Sequence, residues 1–249
     1  MKHFRYAVLS DVSANLEALN AVIEDIKKQD VQKIFCLGNL LGYGPDPLPC
    51  VKILKRISNV CLHGHIEYSI FEKKYANGKF NAHGKEMIDW TRSQLQANPD
   101  CWNWLLSLEN IYREDRFTAA HTDPRGEEYK PIILKNILHR DELPGFFSYF
   151  EKTLFIGGNG CSWFFTEENV GKLALKINNK YNLNNLKTVI SVGSVGRPQD
   201  GDARACYTIF SNDLIIWRRV NYEVEKTVAK IKECSALSNI LGLRLLEGR

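Results

Sequence analysis

Asn39 follows the apolar run Ile34–Leu37 and the turn residue Gly38. In open α/β sheets, ligands bind just past the carboxyl ends of the strands, and that is where this spacing puts Asn39. An amide there can donate and accept hydrogen bonds, but it carries no charge and cannot act as a base. Other polar loops close other apolar runs in the same way. Asp11-Val12-Ser13 follows Tyr6–Ser10, His63-Gly64-His65 follows Val60–Leu62, and His121 follows Phe117–Ala120. Gly157-Gly158-Asn159-Gly160 and Gly193-Ser194-Val195-Gly196 end two later runs, and the first of these could cradle a phosphate on its backbone N–H groups. The chemistry this pattern suggests is ligand binding at a sheet edge, with Asn39 at its centre.

The elements that must position these groups are legible from periodicity. Asn15 caps a helix whose Leu16, Leu19, Val22, Ile23 and Ile26 share a face, with Lys27 and Lys28 in its last turn. Asp46 and Pro47 supply an N-cap and first helical residue for a helix to Ile57. The β-α-β-α-β order over the first third of the chain calls for parallel strands with right-handed crossovers. Helices are expected over Gly84–Leu95 and after Asn98-Pro99, and a hairpin over Ile111–Arg113 and Phe117–Ala120. A loop is expected over Thr122–Tyr129, then a helical, aromatic stretch within Ile132–Phe150. The rest is strand-rich: Thr153–Ile156, Cys161–Phe165, Leu173–Ile177 and Val189–Val192. A hairpin of Ala205–Phe210 and Leu214–Arg219 then turns at Ser211-Asn212-Asp213, and two amphipathic helices close the chain. With no internal repeat or linker, a single domain over 1–249 is expected.

Composition narrows the function classes. Net charge is only +4 and the cations are dispersed, so a nucleic-acid surface is not indicated. Seven cysteines without a Cys-x-x-Cys pair read as free thiols, and no apolar run is long enough to span a membrane. A cytoplasmic protein is expected.

The order of these loops resembles the calcineurin-like metallophosphoesterases, above all their small bacterial and archaeal phosphodiesterase branch. The likeness extends through Gly42-Tyr43-Gly44-Pro45-Asp46-Pro47, Gly193–Tyr207 and Leu245–Arg249. It implies an α/β fold, a four-layer α/β/β/α sandwich of two mixed β-sheets flanked by helices. It also implies two divalent cations at the strand ends, held by Asp-x-His, a bridging Asp, the Asn of Gly-Asn-His-Asp, a lone His and Gly-His-x-His. Such a pair needs an anionic bridge, and it activates water and clamps phosphoryl oxygens for in-line displacement.

This chain departs from that pattern at most of the chemical positions. Asp11 and His121 match ligands, but Ser13 stands for a His, Asn39 for the bridging Asp and His65 for the ligand Asn. Ile66 replaces the catalytic His, Glu67 keeps the acid after it, and Gly158 and Gly160 replace both histidines of Gly-His-x-His. Without a bridging carboxylate, two adjacent dications repel strongly, so a catalytically inactive pseudoenzyme with no metal is expected, acting through a ligand or protein partner. The alternative is a divergent phosphodiesterase or phosphatase with one divalent metal (manganese, zinc, iron or nickel) on Asp11, Asn39, His65 and His121. Arg197 and Arg204 are candidate anion ligands for a small phosphate-containing molecule, or members of an ion-pair network with Asp200 and Asp202. Asp11 could instead cap the first turn of the helix after Asn15, and His63 is expected in solvent. Phe146–Phe150 with Trp163-Phe164-Phe165 is a candidate partner surface, and a homo-oligomer fits the family.

Overall fold

The computed structural model describes residues 4–72, 80–121, 124, 143–158, 160–168, 176–212 and 214–249. Most of the loop expected over 122–129, the part of the expected helical stretch over 132–142, most of the strand expected over 173–177, Asn159 and Asp213 lie outside the described residues.

The first third folds as its alternation dictates. Strands β1 (Tyr6–Leu9), β2 (Lys33–Cys36) and β3 (Val60–Cys61) are parallel neighbours, joined through α1 (Leu16–Lys27) and α2 (Pro47–Ile57). Asn15 caps α1, its side chain accepting from Ala18 N at 3.1 Å. Asp46 precedes α2 but makes no capping bond; its carboxylate instead takes Lys230 Nζ at 2.8 Å, a tertiary partner that outcompetes the local one.

Three helices follow, α3 (His65–Phe71), α4 (Ala82–Gln96) and α5 (Pro99–Leu106). Next come the hairpin β4 (Ile111–Glu114) and β5 (Phe117–Ala120), the short α6 (Leu143–Phe147), β6 (Thr153–Ile156), β7 (Ser162–Thr166), β8 (Tyr181–Asn182) and β9 (Thr188–Val192). The long hairpin β10 (Ala205–Ser211) and β11 (Leu214–Val220) leads to α7 (Val224–Glu233) and α8 (Asn239–Glu247).

The strands form two mixed sheets: β3-β2-β1-β10-β11-β8 and β4-β5-β6-β9-β7. Period-2 side-chain alternation builds the layers. Tyr6 and Val8 of β1 face inward with Phe35, Phe117, Phe155, Ile190, Phe210 and Trp217, filling the space between the sheets. Ala7 and Leu9, the other face of β1, pack under α1 and α2 with Leu19, Val22, Val51 and Leu54. On the far face of the second sheet, Leu154, Ile156, Trp163, Phe165 and Val189 are covered by Phe146, Phe147 and Phe150. This is the expected four-layer order of two mixed sheets with helices outside.

Two expectations are corrected. Trp163 and Phe165 are buried, stacked on each other at 5.6 Å and capped by the aromatic residues around α6. They are core, not a partner surface, because two aromatic runs distant in sequence cover each other. The segment opening at His65 was expected as a loop and is instead the first turn of α3.

The sheets are tied at one side by direct hydrogen bonds. Trp217 Nε1 of β11 donates to the Ser191 carbonyl of β9 at 2.9 Å, and Thr208 Oγ1 of β10 donates to Val192 O at 3.2 Å. The loops after β1, β2, β3, β5, β6 and β9 gather at the carboxyl edge beside these ties, where Val195 N donates to Ser10 O at 3.0 Å and Gly196 N to Asp11 O at 2.8 Å.

Candidate functional site

The loops after β1 and β2 are zipped by backbone bonds. Asp11 N donates to Gly38 O at 3.1 Å, Ser13 N to Asn39 O at 2.9 Å and Ala14 N to Leu40 O at 2.8 Å. Fitting these loops side by side forces left-handed backbone at Asp11, Ser13, Ala14 and Asn39, with φ of 52°, 53°, 52° and 51°. Strained positions of this kind persist only where the surroundings over-determine them. Glu67, fully buried on α3, supplies much of that determination. Its Oε2 accepts from Asn39 N at 2.9 Å and Gly64 N at 2.8 Å, and its Oε1 from Leu41 N at 3.1 Å. Burial pushes its carboxyl up to about 7 against the pull of those donors.

At the centre, both ends of the Asn39 amide are engaged. Its Nδ2 donates to Asp11 Oδ1 at 3.0 Å, and its Oδ1 accepts from Ile66 N at 3.1 Å, which fixes the orientation of the amide. Asp11 does not cap α1, as Asn15 does that; its carboxylate takes Asn39 and the backbone N–H of Gly160. Burial holds the Asp11 carboxyl above its usual range, opposed by His65, these two donors and Arg197.

His65 Nδ1 lies 3.2 Å from His121 Nε2, and His121 Nδ1 lies 2.6 Å from the Leu37 carbonyl. His121 is buried, which pushes its imidazole down to about 4, so it is neutral at physiological pH. The structure thus brings together Asp11, Asn39, His65 and His121 from loops of both sheets. Ser13 is buried beside them, Ile66 is fully buried in the core under α3, and Gly158 and Gly160 both adopt positive φ.

The charged loop divides. Arg204 is spent on Asp202, with Nη2 to Oδ2 at 2.6 Å and Nε to Oδ1 at 3.0 Å, and Asp200 pairs with Arg219. Arg219 was not a sequence candidate; only pairing across the β10–β11 hairpin brings it there. Arg204 is half-exposed, so its ion pair is screened, and Arg204→Gln is expected to cost less than about 1 kcal/mol in chemical denaturation. A larger loss would show that the loop is a structural keystone. Arg197 stands apart from this network, its guanidinium 4.1 Å above the Tyr43 ring. His63, expected in solvent, is buried at 7% exposure, with Nε2 donating to Leu105 O at 2.8 Å. The bridge of Leu62 to Glu109 and the rings of Tyr68 and Phe71 cover it.

Comparison with known proteins gives this geometry its context. No family model matches the chain. An uncharacterized protein of Methanocaldococcus jannaschii is 33% identical over 249 residues, 98% of each chain. The crystal structure of a metallophosphoesterase from Sphaerobacter thermophilus superposes with a TM-score of 0.86 at 29% identity over 100% of both chains. The chain belongs to the calcineurin-like metallophosphoesterase superfamily. A cold-active protein-tyrosine phosphatase of Shewanella shares the superfamily fold at a TM-score of 0.50 and 12% identity, over 87% of this chain and 78% of that one.

The metal pair that the superfamily implies can be tested against the donor set. Asn39, which the resemblance puts at the bridging position, is an amide whose oxygen already accepts from Ile66 N and whose nitrogen faces Asp11. A Cβ on Gly158 would fall 2.7 Å from His121 Nε2, so the buried ring occupies the space a side chain there would need. Among the described residues, no three His, Cys, Asp or Glu side chains are grouped to hold a metal ion. These residues do not fit two adjacent dications. No helix among the described residues is long and apolar enough to cross a membrane.

Proposed function

We propose that this protein is a non-catalytic member of the metallophosphoesterase superfamily, a cytoplasmic pseudoenzyme that binds a ligand at the old catalytic edge. One observation carries the reading. Asn39, where the bridging carboxylate belongs, has both ends of its amide committed to Asp11 and Ile66. The site therefore lacks the anion that two dications require. The proton donor is missing too, since Ile66 is an apolar residue buried in the core.

Arg197 favours a small phosphate-containing ligand over a protein partner. It is half-buried, stacked on Tyr43 and close enough to the Asp11 carboxylate to act on it, while Arg204 is committed to Asp202. A guanidinium presents a fork of donors that matches phosphate oxygens.

The test joins elemental analysis to a phosphodiesterase assay on one preparation, with bis(p-nitrophenyl) phosphate and added manganese. The expected result is no stoichiometric metal and no metal-dependent cleavage; turnover that tracks bound metal would end the reading. For the ligand, thermal shift with inorganic phosphate and mononucleotides should show stabilisation that Arg197→Ala weakens at least about tenfold in apparent affinity.

A second reading, a divergent phosphoesterase with one metal, is favoured by a single distance. His65 Nδ1 and His121 Nε2 lie 3.2 Å apart. That is close to the ~3.3 Å that separates two nitrogens about 2.0–2.1 Å from one tetrahedral zinc. It requires near-stoichiometric metal that disappears in His121→Ala.

A further inference from the structure

The tautomers of the two histidines can be assigned from geometry. A carbonyl only accepts, so the contact with Leu37 O places the His121 proton on Nδ1. With that proton on Nδ1, the His121 Nε2 is the accepting atom of the 3.2 Å contact, and His65 donates to it through Nδ1. The 3.3 Å approach of Asn39 Nδ2 to His65 Nδ1 is then a contact between two donors, and the productive bond of Asn39 is the one to Asp11. The result is a directed chain. It runs from His65 at the start of α3, to His121 at the end of β5 in the second sheet, and back to Leu37 at the end of β2 in the first. A parallel link joins Gly160, beyond β6 in the second sheet, to Asp11 beyond β1 in the first.

In a two-metal centre built from these loops, the cations would join the two sheets, because the ligand positions are split between them. We propose that the His65–His121–Leu37 hydrogen-bond chain has taken over this joining role, so that the carboxyl edge is held together without a metal. Three observations support the exchange. The chain spans the same loops; the His121 ring fills the space beside Gly158; and His121 is 2% exposed, too enclosed to swing out cheaply. The loop after β1 is bound to the second sheet by Val195 N to Ser10 O and Gly196 N to Asp11 O, and the histidine chain supplies the corresponding bond for the loop after β2, at Leu37 O. The inference rests on the loss of the two-metal centre argued above, but its test is separate from the activity assay.

The test is urea unfolding of the full chain, in EDTA and in excess zinc chloride, for the wild type, His65→Phe, His121→Phe and the double variant. Phenylalanine keeps a flat aromatic ring, somewhat larger than imidazole, and deletes the hydrogen bonds. The wild-type midpoint should be the same in both solutions. His121→Phe should raise the unfolding constant at least about tenfold, and His65→Phe should cost at least about fivefold less in the His121→Phe background than in the wild type. Chelator sensitivity overturns the tie whatever the phosphodiesterase assay gives. Additive effects in metal-free protein overturn it and leave the non-catalytic reading intact. If His121→Phe does not fold, imidazole nitrogen NMR on the wild type decides. The proton should sit on Nδ1 of both histidines with or without zinc chloride, and a zinc-induced change at either overturns the proposal.

Discussion

Replacing Asn39 by aspartate, the residue a bridging position calls for, should destabilise the protein by about 3 kcal/mol at pH 7 rather than revive it. The substituted nitrogen lies 3.0 Å from Asp11 Oδ1, and both side chains are almost fully buried. The change removes a donor and places a second carboxylate against the first where water cannot screen them. Asp11 is already held above its usual range by burial, so the pair must share a proton. Burying a second carboxyl against the first, either ionised or held protonated above its solution range, costs on the order of a few kcal/mol, which sets the scale of the loss. Backbone strain does not confound the comparison, because aspartate tolerates the left-handed conformation about as well as asparagine. The sign of the pH effect follows. The raised pKa of the pair makes the folded variant bind a proton that the unfolded chain releases, so the deficit should shrink as pH falls from 7 toward 4. Denaturation of both proteins at pH 7 and pH 5 measures it. Full stability at pH 7, or stabilisation of the variant by one equivalent of manganese, would mean that one carboxylate suffices to rebuild the centre.

Much of the frame was legible because it is written in short-range signals. The periodicity of Leu16 to Ile26 behind Asn15, the Asn98-Pro99 start and the β10–β11 hairpin all use neighbours in sequence, and each forms where it was expected. The errors are long-range. Nothing near Asp46 announces Lys230, and nothing near Asp200 announces Arg219. His63 looked solvent-facing because Leu105 and Glu109, which receive its side chain and backbone N–H, lie some forty residues away. The first turn of α3 was hidden because Gly64 is a poor helix signal. It is set by the Glu67 carboxylate folding back onto Gly64 N, which also serves Asn39 and Leu41. Strand β8 is two residues long and exists only by pairing with β11, too little for any periodicity. At the candidate site the residue types were readable. The form of the replacement was not: an amide committed at both ends and a histidine seated beside a glycine need the coordinates of five loops at once.

Those buried groups also give a pH dependence whose parts oppose each other. His121, depressed to about 4 from an ordinary 6.5, stays neutral in the fold while the unfolded chain takes up a proton. Its contribution is fully present above pH 6.5 and is lost as pH falls toward 4. Glu67, raised to about 7 from an ordinary 4.5, holds a proton that the unfolded chain releases, so its contribution is present at pH 4.5 and lost as pH rises toward 7. Each amounts to about 3 kcal/mol across its window, and the windows overlap. His63, lowered by burial, acts in the sense of His121, and Asp11, raised by burial, in the sense of Glu67. The wild type should therefore show a nearly flat stability profile between pH 4.5 and 6.5, produced by cancellation rather than by an absence of titrating groups. Single variants separate the two arms. In His121→Gln, whose amide can still donate to Leu37 O, stability should rise by about 3 kcal/mol as pH is lowered from 7 to 4.5. In Glu67→Gln it should fall by a similar amount, about 3 kcal/mol, from pH 6.5 to 4. Glu67→Gln also sets an amide N–H₂ against at least one of the three backbone donors, so the slope of its profile, not its absolute stability, is the measurement. Profiles that run parallel in the two variants would show that the buried histidine and carboxylate do not titrate in the fold as their burial requires.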